Sequence, residues 1–156
     1  MTTPATGTSS VLTQRTGSGY LLDTNVISET RKKQPNPNVQ RWLEGKPIYQ
    51  QHLSVITLGE LLQGAHRAPT PALEASISAW IERTERKFAG RTLELDTPVM
   101  RLWASITASA IKRGLTAPLM DSLLAATAIQ HDLIFVTRNT DDVLALGGQT
   151  ENPWNA

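Results

Sequence analysis

The sequence contains no cysteine among its 156 residues. Disulfide bonds, thiolate metal sites and cysteine nucleophiles are therefore excluded. It also has no apolar run approaching the roughly 18 residues that a membrane-spanning helix needs. The amino terminus lacks the basic start and apolar core of a secretion signal. We therefore expect a cytoplasmic protein with no membrane association.

The sequence also lacks a strong excess of either charge. The formal net charge is +1 and the isoelectric point is near 8.1. Nucleic-acid-binding domains often have an isoelectric point above about 9 and one basic face. The overall charge therefore neither supports nor excludes RNA as a partner.

The composition is that of one soluble domain, with 40% hydrophobic and 19% charged residues. Residues 1–19 are rich in Thr, Ser and Gly and show no apolar periodicity. Such a segment cannot bury enough apolar surface to fold. We predict a disordered amino-terminal arm over residues 1–19 and a single folded domain over residues 20–156.

The first informative stretch is residues 20–27, where a short apolar run ends at Asp23 and two small hydrogen-bonding residues follow. This pattern predicts a buried strand that leads directly into a helix. If the strand belongs to a parallel sheet, Asp23 lies at the carboxyl edge, where open α/β sheets bind their ligands.

Strand-like and helix-like segments alternate along the rest of the chain. Strands are predicted in the second half of residues 48–56 and over residues 92–95 and 133–136, and helices are predicted to begin near Pro37, Thr57, Leu73, Asp96 and Leu119. Crossovers of this kind build a parallel sheet. We predict an α/β fold of three layers, with a central parallel sheet and helices on both faces. Residues 152–154, Asn-Pro-Trp, are predicted to form a short edge segment.

Carboxylates repeatedly follow the predicted strands. Glu60 comes about one turn after the strand in residues 48–56, Asp121 opens a predicted helix, and Asp141 and Asp142 follow the strand at residues 133–136. Converging carboxylates repel one another and stay ionised only beside a cation. Oxygen ligands favour Mg²⁺ or Mn²⁺, and such an ion supports hydrolysis of a phosphodiester.

Each acid also has a simpler structural interpretation. Asp23 is a suitable helix N-cap, and Glu60 stands three residues after Thr57, as in a capping box. A first-turn Asp121 is favoured by the helix dipole. Asp141 and Asp142 fit a solvated turn.

Four motifs in register resemble those of PIN-domain ribonucleases, most closely VapC toxins of the FitB-like type. They are LLDTNVIS at residues 21–28, SVITLGELLQG at 54–64, DSLLAATA at 121–128 and VTRNT at 136–140. By this resemblance, Asp23, Glu60 and Asp121 match the three acids that bind the metal. Asn139 stands where the family often has a fourth acid.

The same resemblance implies further roles around the acids. Asp142, and less favourably Asp141, is expected to supply the charge that Asn139 lacks, and Asn139 to orient a ligand or a water. The catalytic set is then Asp23, Glu60, Asp121, Asn139 and Asp142, with the four acids of this set as metal ligands. Four polar residues are expected to hold the acids: Thr24, Asn25, Thr57 and Thr137.

The resemblance implies an endoribonuclease toxin of a type II toxin-antitoxin system that uses Mg²⁺ or Mn²⁺. Its expected partners are an RNA substrate, a small VapB-like antitoxin and a second copy of the chain. Two alternatives stay open. A metal-dependent phosphatase is disfavoured because position 25 is Asn and Arg138 replaces the expected Lys, whereas a non-catalytic RNA-binding or protein-interaction module gains weight from Asn139.

Overall fold

Five short parallel strands form one sheet in the computed structural model, which describes residues 19–156. The strands are β1 (Tyr20–Leu22), β2 (Gln51–Ser54), β3 (Thr92–Leu93), β4 (Ile134–Val136) and β5 (Thr150–Glu151). Their order across the sheet is β3-β2-β1-β4-β5, and every neighbouring pair is parallel. The predicted parallel α/β sheet is therefore confirmed.

The predicted arm at residues 1–19 lies outside the described residues except for Gly19. The carbonyl of Gly19 accepts a hydrogen bond from the Ile134 backbone at 3.0 Å. A Cβ atom at this position would lie 2.6 Å from the Gln50 carbonyl oxygen. A side chain would not fit without a backbone shift, so glycine allows the chain to enter β1 between its neighbours.

Seven α-helices connect the strands of the described chain. They are α1 (Thr24–Glu29), α2 (Pro37–Glu44), α3 (Val55–His66), α4 (Pro71–Lys87), α5 (Thr97–Lys112), α6 (Leu119–Gln130) and α7 (Asp141–Ala145). Short 3-10 turns cover Ile48–Gln50 and Pro153–Asn155. None of the helices among residues 19–156 is both long and apolar enough to cross a membrane.

The side chains of the central strands alternate between two apolar clusters. Leu21 and Phe135, which are partners in the β1/β4 register, pack in a cluster with residues of α5, α6 and α7. Leu22 and Val136, the next pair, pack in a second cluster with residues of α1, α2 and α4. Since successive strand residues point to opposite faces, the sheet lies between two helical layers. This confirms the three-layer prediction.

The predicted start of α3 is wrong. The expected strand ran to Ile56, and Thr57 was expected to cap the helix with Glu60 as its capping-box partner. Instead, β2 ends at Ser54, whose hydroxyl accepts a hydrogen bond from the Ile56 backbone at 3.0 Å and caps α3. Short apolar runs do not distinguish a strand from a buried first helical turn, which is why the pattern misled.

Two features near the carboxyl terminus also differ from prediction. Asp141 and Asp142 occupy the first turn of α7 and not a solvated turn, where the positive end of the helix dipole favours acids. The edge strand is Thr150–Glu151, and the Asn-Pro-Trp segment after it forms a 3-10 turn. A strand of two residues leaves no alternation from which a sequence pattern could find it.

Candidate active site at the carboxyl edge of the sheet

Asp23 lies where β1 passes into α1. Its backbone N–H donates to the Val136 carbonyl of β4 at 2.9 Å, which fixes it between the two central strands. One carboxylate oxygen, Oδ1, accepts from the Thr24 backbone at 2.7 Å and caps α1. The other, Oδ2, accepts from the Thr137 hydroxyl at 2.7 Å. Asp23 is therefore both the cap that the simpler interpretation predicted and a side chain fixed at the carboxyl edge.

The pKa of Asp23 is raised above its ordinary value of 3.8. Burial is the largest cause, because it disfavours the charged carboxylate, and the negative charges of Glu60 and Asp121 act in the same direction. The hydrogen bonds from Thr137 and Thr24 oppose the rise. Glu60 and Asp121 thus lie close enough to Asp23 to affect its ionisation.

Glu60 reaches this edge from the second turn of α3. Its Oε1 accepts a hydrogen bond from the Thr24 hydroxyl at 2.8 Å. The same hydroxyl lies 3.2 Å from that of Thr57. Thr24 therefore joins two acids, through its backbone to Asp23 and through its side chain to Glu60. The bond to Glu60 also connects the first turn of α1 to the second turn of α3.

Asp121 and Asp142 form the other side of the site. Asp121 lies in the first turn of α6 and Asp142 in the first turn of α7. The pKa of Asp121 is raised by partial burial and by the charge of Asp142. The chain of like-charge neighbours thus runs from Glu60 through Asp23 and Asp121 to Asp142.

Asn139 is joined to this site through its backbone. Its N–H donates to the Thr137 hydroxyl at 3.1 Å, and that hydroxyl donates to Asp23. The Asn139 side chain is exposed. Of the four polar residues expected to hold the acids, Thr24 and Thr137 bond them directly, whereas Thr57 acts through Thr24. The Oδ1 atom of Asn25 is buried and has no hydrogen-bond partner among the described residues.

The donors at this edge are oxygen atoms, which suits a hard divalent cation. Among residues 19–156, no three acidic or histidine side chains close into a ready-made metal cage. Mg²⁺ is usually held by one or two carboxylates and keeps several waters, so its binding does not require a closed cage. Burial is the largest cause of the raised pKa of Asp23 and of Asp121, and neighbouring carboxylates add to the rise; a bound cation would stabilise the charged form of both.

Sequence reasoning missed a cation beside the acids. The guanidinium of Arg138 stacks over the Trp154 ring, 4.5 Å from its centroid. Arg138 also lines a cavity of about 280 Å³ together with Asn139, Thr140, Asp141 and Asp142. The available signal was its place directly after Thr137, but the sequence does not reveal its contact with Trp154.

A parallel sheet of this order, with acids gathered past its strand ends, defines a class of α/β domains with an acidic edge. Within that class, the family model described as PIN domain matches residues 20–145. The chain belongs to the PIN-domain family.

Similar proteins show which group within the PIN-domain family the chain resembles. Toxin FitB of Neisseria gonorrhoeae is 37% identical over 136 residues, which cover 86% of this chain and 98% of FitB. VapC ribonuclease Y4jK of Sinorhizobium fredii is 34% identical over 135 residues, covering 86% and 96% of the two chains. The crystal structure of FitAcB from Neisseria gonorrhoeae superposes with a TM-score of 0.84 at 36% identity, covering 88% of this chain and 99% of that chain. The chain is thus a PIN domain of the FitB and VapC group, which confirms the predicted resemblance.

Proposed function

We propose that the chain is a metal-dependent endoribonuclease toxin of a type II toxin-antitoxin system. The observation that carries this proposal is the continuous acidic edge, to which four different helices each bring one acid: the charges of Glu60 and Asp121 act on Asp23, and that of Asp142 acts on Asp121. The simple alternative of separate helix caps does not require these side chains to meet. The printed names of two relatives, a toxin and a ribonuclease, support the proposed activity.

In this proposal the four acids hold Mg²⁺ or Mn²⁺ through their carboxylate oxygens. When bound, such an ion activates water for in-line attack on a phosphodiester and stabilises the negative charge that develops. The chain's own contribution is orientation. Thr137 and Thr24 fix both oxygens of Asp23, and Thr24 also fixes Glu60.

Asn139 has a different proposed role from the acids. It carries no charge and its backbone supports the Thr137 hydroxyl. Its exposed amide can orient an incoming water or a ribose hydroxyl at the edge of the site. Asn139 stands where the family often has an acid. In this proposal it positions a ligand and does not need to neutralise a cation.

We propose RNA as the substrate and a small VapB-like antitoxin as the protein partner. An acidic edge suits a cationic inhibitor, because a positive side chain there would compete with the metal for the same carboxylates. An apolar groove lies near the end of α1, lined in part by Ile27, Leu43, Trp80 and Phe88, with a volume of about 230 Å³. This groove offers a surface on which an antitoxin segment could pack.

A test in cells addresses both proposals together. Expression of the wild-type chain without its antitoxin should arrest growth and produce discrete cleavage of cellular RNA. Asp23→Ala should do neither, and co-expression of the gene product encoded immediately upstream should restore growth and co-purify with the toxin. A folded wild-type chain that leaves growth and RNA unchanged would contradict the proposed function.

We also propose that the active form is a homodimer. The end of α5 exposes Ile111 at 64%, and the start of α6 exposes Leu119 and Met120 at 57% and 50%. Large apolar side chains exposed together are typical of an interaction surface. Leu119 and Met120 directly precede Asp121, so a second copy packed on them would also border the acidic edge.

A further inference from the structure

Arg138 is a cation at the acidic edge that forms no ion pair with any residue of 19–156. It follows Thr137, the residue that donates to Asp23 Oδ2. In the part of the chain that the structure describes, no carboxylate lies within 4.0 Å of its guanidinium. Glu29 is near enough for Arg138 to lower its pKa, but the closer partners of Glu29 are Lys32 and the Asn36 backbone.

The carboxyl-terminal segment holds Arg138 in place. Trp154 supplies the ring under the guanidinium, and the Asn152 side chain donates to the Arg138 carbonyl at 3.4 Å. Trp154 is itself fixed, because its backbone donates to Asn152 Oδ1 at 3.0 Å and its carbonyl accepts from the Asn38 side chain at 2.9 Å. Arginine stacked on an indole is orientated before any ligand arrives, while its N–H groups remain available.

The surroundings of Arg138 indicate an anionic ligand beside the acids. Arg138 is exposed and lines the cavity of about 280 Å³ that also contains Asp142. A polyanion that approaches four carboxylates is repelled unless cations contact it on either side of the reaction point. A guanidinium matches the geometry of a phosphate by donating two parallel hydrogen bonds.

We propose that Arg138, supported by Trp154, binds a backbone phosphate of the RNA next to the phosphodiester that is cleaved. Arg138 is then a positioning residue that sets which linkage reaches the acids. This inference rests on the proposed ribonuclease function, and it deepens that function by naming where the substrate backbone is held.

The test compares RNA binding and RNA cleavage by matched variants. Binding of a short fluorescein-labelled single-stranded RNA of mixed sequence is measured between about 50 and 200 mM salt, in an Asp23→Asn background that does not turn over. One lost phosphate contact should reduce the slope of log affinity against log salt by about 0.7. Arg138→Gln should show this reduction, whereas Arg138→Lys should keep most of the slope.

Two further variants distinguish the support that Trp154 gives to Arg138 from the effect of the Arg138 charge. Trp154→Leu keeps the cation but removes its platform, so it should weaken binding about three-fold without changing the slope. Arg67→Gln removes another exposed arginine, at the far end of α3 and about 10 Å along the helix from Glu60, and should change neither the affinity nor the slope. In the otherwise wild-type enzyme, Arg138→Gln should raise KM about ten-fold and change kcat less than three-fold.

The outcomes distinguish this inference from the proposed function. If the wild-type chain cleaves RNA and Arg138→Gln keeps the full salt slope and KM, the inference is overturned and the ribonuclease function stands. If Arg138→Gln weakens only the complex with the antitoxin, the surface belongs to a protein partner and the inference also fails. If the wild-type chain binds RNA but never cleaves it, and Arg138→Gln reduces the salt slope, the result would support phosphate binding by Arg138 and overturn the proposed catalysis. Absence of RNA binding in every variant overturns both.

Discussion

At the scale of single residues, two threonines determine how the acids are presented. Thr137 is buried, with 1% of its surface exposed, and places its hydroxyl between the Asn139 backbone and Asp23. Thr24 similarly bonds both Asp23 and Glu60. Neither threonine can replace a carboxylate, but together they fix the directions in which the free carboxylate lone pairs point.

Thr137→Val keeps the volume of the side chain and removes its hydroxyl. We expect RNA cleavage to fall about 10-fold to 100-fold, as is usual when a residue that orients a metal ligand is lost. The Asp23 pKa should rise further, because the Thr137 bond lowers it, so the acid limb of the pH–rate profile should move to higher pH. Thr137→Ser should restore both. A valine variant with the wild-type rate and profile would show that the hydroxyl is not needed.

Asp23→Asn should separate stability from function. The raised pKa means that ionising Asp23 is less favourable in the folded than in the unfolded chain, so this residue lowers stability as pH rises from 3.8 through its folded pKa. In EDTA near pH 7, Asp23→Asn should therefore unfold at a higher temperature than the wild type.

With excess Mg²⁺ or Mn²⁺, the wild type should instead unfold at a higher temperature than Asp23→Asn. A ligand at 100 times its dissociation constant stabilises the folded state by about 2.7 kcal/mol. The wild type should gain stability of this order on adding the ion and Asp23→Asn should gain much less, as measured by thermal unfolding. Equal gains in both proteins would argue against Asp23 as a metal ligand.

At the scale of secondary-structure elements, a buried carboxylate connects α1 to α2. Glu29 is 5% exposed, and it accepts from the Asn36 backbone at 2.9 Å and pairs with Lys32 at 2.7 Å. Asn36 in turn caps α2 with its side chain. Glu29 therefore fixes the loop that positions α2 against the second apolar cluster.

Glu29→Gln should destabilise the fold by about 1.5–3 kcal/mol at pH 7, the range for hydrogen bonds to charged groups. The Lys32 bond, followed by the Asn36 backbone bond, lowers the pKa of Glu29 from 4.5. Its stabilising contribution is thus present above pH 4.5 and is lost as pH falls through the lower folded pKa. Denaturant unfolding of both proteins should show their difference shrinking below pH 4.5. Glu44→Gln, a change at an exposed helix position, is the control, and a Glu29 effect no larger than this control would contradict the argument.

Elements with strong end signals could be predicted from the sequence. Helix α6 spans Leu119–Gln130 as expected, and α2 begins at Pro37 after the Asn36 cap and ends before Gly45. The start of α3 could not be predicted, because Val55 and Ile56 suit a strand as well as a helix.

The candidate site also has a part that could be predicted from the sequence and a part that could not. Sequence motifs nominated all four acids and Asn139, because the residues stand at recognisable positions along the chain. The Thr24 bridge between Asp23 and Glu60 depends on side-chain directions across two helices. The stack of Arg138 on Trp154 depends on how the chain's end folds back against α2. Local patterns contain neither of these contacts.

At the scale of the whole molecule, the near-neutral net charge conceals an uneven distribution. The acids lie together at the carboxyl edge, and the exposed apolar side chains at the start of α6 directly precede Asp121 of that edge. Assembly through this apolar surface would bring a second chain beside the site. Catalysis and assembly are then connected through the first turn of α6, which contains both Leu119 and Asp121.

Leu119→Asp should weaken the proposed homodimer more than ten-fold, because it places a charge in an apolar contact. Light scattering across a concentration series would measure the change. Leu73→Asp, at a partly exposed position of α4, should leave the dimer intact. A wild-type chain that is monomeric at every concentration, or a Leu119→Asp dimer of unchanged strength, would contradict this surface.

The central claim is that the acidic edge cleaves RNA with a divalent ion. The most direct test incubates total cellular RNA with purified wild type and with Asp23→Ala, each in Mg²⁺, in Mn²⁺ and in EDTA. We predict discrete fragments from the wild type with either ion and none from the variant or in EDTA, and mapping the fragment ends would identify the RNA. No cleavage by folded wild type with either ion, or equal cleavage by Asp23→Ala, would contradict the claim.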